Sequence, residues 1–197
     1  EVIAWSRTHR IMVVHDFAYS DIVFEGARAP SILEVEGAAE VAVEFHTLSK
    51  SYSLPGLRLG FGVGNRHVLA SLAKTKSYID FGIFRAVQWA AIAALTGPQD
   101  YVRWAVATYE KRRNRFKQGL NAIGWEVPSP KATFYVWAKI PLKFSALTSL
   151  EFATLLVQEA GVVAAPGSGF GEYGEGFVRF ALVEPEPPLE AAVKRIA

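Results

Sequence analysis

Lys50 follows an apolar, strand-like run and stands among hydroxyls in His46-Thr47-Leu48-Ser49-Lys50-Ser51-Tyr52, with Arg58 eight residues further on. An ammonium buried without a partner is costly, so a lysine at the end of a buried strand needs something to pair or react with. An aldehyde meets that need, because burial and nearby positive charge favour the neutral, nucleophilic amine. A lysine at an exposed strand end is the competing reading, and on this residue alone the two stand level. Asp16 and Tyr19, in Asp16-Phe17-Ala18-Tyr19, follow a second apolar run; by themselves they read as a capping aspartate beside a packed tyrosine. Arg179 interrupts the apolar run Phe177-Val178-Arg179-Phe180-Ala181-Leu182. A guanidinium there calls for an anion, either a carboxylate ligand gripped by two parallel hydrogen bonds or one of the nearby glutamates.

The elements that must position these residues alternate between β-branched runs and helical stretches, the pattern of an α/β layer structure. Residues 11–15 predict a buried parallel strand ending at Asp16, 41–46 a strand ending just before Lys50, and 59–64 a glycine-rich strand that lets its neighbours approach closely. In open α/β sheets ligands collect beyond the carboxyl ends of strands, where Asp16 and Lys50 both fall. Helices are expected over 67–79, 86–95, 99–123 and 149–160, and strands over 133–139, 161–165 and 177–182. Lys111, Arg112, Arg113 and Arg115 read as a solvated face of the long helix, and Glu184-Pro185-Glu186-Pro187-Pro188 as a turn or extended link before a last helix.

With 51% hydrophobic and 13% aromatic residues, the 197-residue chain can bury real cores. A net charge of only +2 points to neither nucleic acid nor an anionic membrane. No cysteine occurs, which excludes disulfides and thiolate metal sites and makes the cytoplasm the expected compartment. The four histidines lack ligand spacing, so no metal is expected. No apolar run is long enough to span a bilayer, and Glu1-Val2-Ile3-Ala4-Trp5-Ser6-Arg7 does not resemble a signal peptide.

Taken together, Thr47-x-Ser49-Lys50, Arg58 with Gly60-Phe61, and Asp16-x-x-Tyr19 upstream resemble the signature of the class I/II aminotransferases of fold type I, which depend on pyridoxal 5′-phosphate. Further similarity lies at Pro30-Ser31-Ile32-Leu33, Gly124-Trp125-Glu126-Val127, Thr133-Phe134-Tyr135-Val136-Trp137 and Pro166-Gly167-x-Gly169-Phe170-Gly171. The closest resemblance is to bacterial alanine and LL-diaminopimelate aminotransferase-like proteins, and it covers their C-terminal half only. It implies that Lys50 forms the Schiff base and moves the proton, that Thr47, Ser49 and Arg58 hold the cofactor phosphate, that Asp16 pairs with the pyridine nitrogen, that Tyr19 bonds the ring's phenolate oxygen, and that Arg179 takes the substrate α-carboxylate. It also implies that residues 1–103 are the second half of the large, cofactor-binding domain, with 104–197 forming a bridging helix and an α+β C-terminal small domain.

The expected reaction is ping-pong transamination between an alanine-like amino acid and a 2-oxoglutarate-like 2-oxo acid, in a homodimer. The rivals are a β- or γ-lyase of the same fold and a non-catalytic fragment acting as an interaction module. Two departures from the family pattern stand out. Ala132 replaces a glycine and adds a methyl where glycine would tolerate a positive φ, and the prolines at 187 and 188 interrupt the charged turn before the last helix.

Overall fold

In the computed structural model, which describes residues 1–197, the chain divides into two compact units, Glu1–Ala105 and Val106–Ala197. The fold is mixed α/β.

The first unit opens with helix α1 (Val2–His9) and carries a three-stranded sheet of order β1-β2-β3, with β1 at Val13–Asp16, β2 at Ala42–Thr47 and β3 at Gly60–Gly64. β1 runs parallel to β2, pairing His15 with Glu44 and Asp16 with Phe45; β3 returns antiparallel, pairing His46 with Phe61 and Thr47 with Gly60. Short helix α2 (Ala38–Val41) leads into β2, and short helix α3 (Leu48–Ser51) follows it directly. β3 needs its glycines for close approach. A Cβ at Gly60 would lie 2.6 Å from the His46 carbonyl oxygen, and one at Gly64, where φ is +125°, 2.4 Å from that of Ala42. Helices α4 (Arg66–Ile79) and α5 (Arg85–Thr96) follow, α4 capped by Asn65, whose Oδ1 accepts from the His67 and Val68 amides. Beneath α3, Leu48, Leu59 and Ala91 form a small core with Tyr52, Leu54 and Val87 packed against it, so the lysine-bearing turn rests on apolar side chains.

The sequence predicts β1 as buried, and the structure corrects this. Its side chains alternate half-buried and exposed, with Val14 64% exposed, because β1 has a strand neighbour on one edge only and one of its faces is uncovered.

Helix α6 (Asp100–Ala122) contains the boundary between the units. The second unit has a sheet of order β4-β6-β5, with β4 at Tyr135–Lys139, β5 at Ala165–Pro166 and β6 at Phe177–Ala181. Both longer strands bury alternate residues, Val136 and Ala138 facing Phe180 and Val178 across the ladder. Phe116, Leu120, Trp125, Phe152 and Leu156 add to the core, and the indole N–H of Trp125 donates to the Lys139 carbonyl oxygen. Helix α7 (Ser149–Ala160) has the bounds the sequence predicts, because its signals are local: a Thr148–Glu151 capping box at one end and Gly161 in the left-handed region at the other.

Four further expectations change. The strand expected over 161–165 shrinks to Ala165–Pro166, because the amides of Gly161 and Val162 turn back to the last carbonyls of α7 instead of joining the ladder. Pro187 and Pro188 lie inside the first turn of helix α8 (Glu186–Ile196), where a missing N–H costs nothing. The positive φ near Ala132 falls on Thr133, at 66°. The basic cluster of α6 is a solvated face only in part, with Lys111 and Arg115 exposed as expected and Arg112 and Arg113 turned inward. Arg113 is 1% exposed and donates to the Pro130 carbonyl oxygen and to Asn114, Arg112 donates to the carbonyls of Leu182 and Val183, and Lys111 and Arg115 pair with Glu186 and Glu190.

Candidate active site

Lys50 sits in α3, immediately beyond the carboxyl end of β2, half-buried. Its ammonium nitrogen lies 5.7 Å from the centre of the Tyr19 ring, so two residues 31 positions apart are neighbours. A side-chain hydrogen bond between their turns accounts for this. Ser51, 3% exposed, donates from its hydroxyl to Asp21 at 2.6 Å, and Asp21 also accepts from Ser20. The turn that carries Tyr19 is thereby tied to the turn that carries Lys50. Burial pushes the Tyr52 phenol pKa up, and the Asp21 carboxylate adds to the shift.

Thr47 caps α3. Its hydroxyl oxygen accepts from the Ser49 amide, and its O–H lies within reach of both the Ser49 hydroxyl at 3.0 Å and the Leu59 carbonyl oxygen at 3.2 Å. The Leu48 amide donates to the same carbonyl. Thr47, Ser49 and the backbone next to Arg58 therefore converge. The Arg58 side chain is exposed and donates to the Pro55 carbonyl oxygen at 2.9 Å from a residue with φ of 50°. Asp16, the last residue of β1, presents an exposed carboxylate on the uncovered face of the strand.

Arg179 belongs to the second unit. Its guanidinium carbon lies 4.1 Å from the ring centre of Tyr135 and 4.2 Å from that of Phe170, and it makes no ion pair within the chain. The internal salt bridge weighed as an alternative for this residue is absent. The group is half-buried and held between two rings, with its hydrogen-bonding edges uncommitted.

The sequence reading overlooks a buried carboxylate behind Asp16. Glu44 of β2 is 2% exposed and accepts four hydrogen bonds: from Nδ1 of His15 at 2.8 Å, Nε2 of His46 at 2.8 Å, the Ser31 hydroxyl at 2.7 Å and the Ile32 amide at 3.1 Å. Burial pushes the Glu44 carboxyl pKa up, but the hydrogen bonds from Ser31, His15, His46 and Ile32 outweigh it and hold it below the usual glutamate value. Glu44-x-His46 on one strand is the only local trace of this cluster; the other partners come from elsewhere in the chain.

The profile of the family described as aminotransferase class I and II matches residues 1–196. The chain is 50% identical to the glutamate-pyruvate aminotransferase AlaC of Escherichia coli K12 over 196 residues, which is all of this chain and 48% of that protein. It is 45% identical to the LL-diaminopimelate aminotransferase of Moorella thermoacetica, again over its whole length and 50% of the relative. Among solved structures it superimposes on substrate-bound BacF from Bacillus subtilis with a TM-score of 0.95 at 35% identity, covering 99% of this chain and 49% of that one. A probable N-succinyldiaminopimelate aminotransferase from Thermus thermophilus gives 0.91 at 40% identity, with 99% and 51% covered. The chain thus spans about half the length of the curated relatives it matches.

Proposed function

The chain belongs to the class I and II aminotransferase family, and on that premise we propose that the protein transfers an amino group from a small, alanine-like amino acid to a 2-oxo acid of the 2-oxoglutarate kind. The family works with pyridoxal 5′-phosphate, and the donor set fits that group. Two hydroxyls and a guanidinium suit a phosphate, an exposed carboxylate suits a protonated ring nitrogen, and a primary amine beside a phenol suits an aldehyde next to a ring oxygen. When bound, this cofactor supplies the aldehyde carbon that takes the amino group and a ring that withdraws electrons from the substrate α-carbon.

The chain's own residues then have these parts. Thr47 and Ser49 donate to the phosphate from their hydroxyls, joined by Arg58. Asp16 accepts from the ring nitrogen and keeps it protonated. Tyr19 donates to the ring oxygen. Lys50 would hold the cofactor through its amine and, once displaced by the substrate amine, would take the proton from the substrate α-carbon and deliver it across the amino nitrogen to the former aldehyde carbon. Arg179 binds the α-carboxylate with its two parallel N–H groups. The observation that carries this reading is the Lys50 amine 5.7 Å from the Tyr19 ring centre, on a turn that also brings the Thr47 and Ser49 hydroxyls within 3.0 Å of each other.

The same reading makes residues 1–103 the second half of the cofactor-binding domain and 104–197 the bridging helix and small domain. It also places the protein in the cytoplasm as a homodimer. The exposure of Phe81 (93%), Phe84 (76%) and Trp89, close together in the sequence, supports an apolar partner surface. No helix is long and apolar enough to cross a membrane.

Pyridoxal phosphate is added to the purified protein, the adduct is fixed with borohydride, and the modified peptide is mapped by mass spectrometry. Selective labelling at Lys50, with pyruvate formed from alanine and 2-oxoglutarate, is expected. Labelling scattered over surface lysines would sink the assignment, and release of ammonia without transfer would favour a lyase.

A further inference from the structure

We propose that Glu44 is a positioning residue for Asp16: through His15, His46 and Phe17 it clamps the residues on either side of Asp16 and so fixes where that carboxylate stands. The inference rests on the role given to Asp16 above, but its geometry stands independently. β1 is four residues long, lies at the edge of its sheet, and is uncovered on the face that presents Val14 and Asp16. By strand alternation, His15 points to the opposite face, where its ladder partner is Glu44.

On that covered face His15 donates to one Glu44 oxygen and His46 to the other. Phe17 packs against both imidazoles, stacked on His15 with ring centres 4.5 Å apart and edge-on to His46 at 5.4 Å. Its amide continues the ladder by donating to the Phe45 carbonyl oxygen. His46 stacks in turn on Phe61 of β3. The residues before and after Asp16 are thus both gripped from behind, and the carboxylate common to the two histidine bonds is Glu44. The hydrogen bonds from Ser31 and Ile32 hold Glu44 itself in place.

An ionised carboxylate only accepts, so His15 must carry hydrogen on Nδ1 and His46 on Nε2. A glutamine at 44 offers one acceptor and one NH2, so it cannot satisfy two imidazole N–H groups, a hydroxyl and an amide. Asparagine places a side-chain NH2 near the position of a histidine Nδ1, so His15→Asn keeps the bond to Glu44 while His15→Leu removes it.

Hydrogen exchange of the Phe17 amide, followed by NMR on the full chain without cofactor, reads the clamp directly. In Glu44→Gln and His15→Leu this amide should exchange at least about tenfold faster, while the amides of the β2–β3 ladder hold their wild-type rates and His15→Asn stays close to wild type. The 15N shifts of the imidazoles should report Nδ1–H at His15 and Nε2–H at His46 in the wild type. Unchanged Phe17 exchange in both Glu44→Gln and His15→Leu overturns the proposal. So does equal acceleration across the whole sheet, which would make Glu44 a general stability residue. Should Glu44→Gln fail to fold, the His15→Leu and His15→Asn pair decides alone. Cofactor affinity, measured in parallel, separates the two claims: a loosened Phe17 with unchanged affinity upholds the clamp and counts against the role of Asp16.

Discussion

Arg179→Lys tests the substrate-binding assignment most directly. The wild-type guanidinium is held between Tyr135 and Phe170, with ring centres 4.1 and 4.2 Å away, and has no acidic partner in the chain. A bidentate pair with a substrate carboxylate would therefore form without breaking an existing ion pair. Hydrogen bonds to a charged group contribute about 1.5–3 kcal/mol each in net terms. Lysine keeps the charge but loses the planar fork, so losing the equivalent of one such bond is the expected cost. At about 1.4 kcal/mol per factor of ten, that predicts a fall of roughly 10- to 150-fold in kcat/KM for the amino acid. The assay is the half-reaction followed in single turnover, with a primary amine lacking a carboxylate as control. The control should react equally with both proteins, and the melting temperature should move little, since the site is only half-buried. A kcat/KM for the amino acid within threefold of wild type, or an equal loss for the control amine, would refute the reasoning.

Lys50→Arg should abolish borohydride-stable labelling at that position and lower turnover by about 10³-fold or more, since it removes both the nucleophile and a general acid–base group; peptide mapping and a coupled pyruvate assay check both. Gly64→Ala should destabilise the first unit by about 2–3 kcal/mol, because it combines a φ of +125° with a Cβ 2.4 Å from the Ala42 carbonyl oxygen, as denaturant melts would show. Glu44, whose folded pKa lies below the ordinary value of 4.5, contributes stability that is present above the unfolded pKa and lost as the pH falls through the folded one. Glu44→Gln should accordingly be less stable than wild type at pH 7 and lose less on acidification, with the two melting temperatures converging as the pH falls through the folded pKa of Glu44.

Local signals in the sequence located most elements and the chemistry-bearing stretch. Helix α7 is bounded by a capping box and a glycine, and both act within a single turn of the chain. The glycines of β3 record how closely two backbones must pass. The spacing of Thr47, Ser49, Lys50 and Arg58 is legible through its resemblance to the family's pattern, and the structure sets the Thr47 and Ser49 hydroxyls together at the start of the short helix that carries Lys50.

What the tertiary structure decided are the features made by partners distant in the chain. Arg113 reads as one cation of a solvated run, yet it is buried because the Pro130 carbonyl, 17 residues away, takes its N–H. β1 reads as buried, yet the sheet order leaves one of its faces uncovered. Glu44 reads as an unremarked charge in an apolar strand, and the reason it can be buried lies 29 residues back at His15 and 13 back at Ser31. A charge enters a core only where donors gathered from several segments meet it, and one-dimensional spacing does not record that meeting. Residue types and short spacings determined which chemistry this protein can carry; the fold decided which charges were buried, which stayed exposed, and what holds each in place.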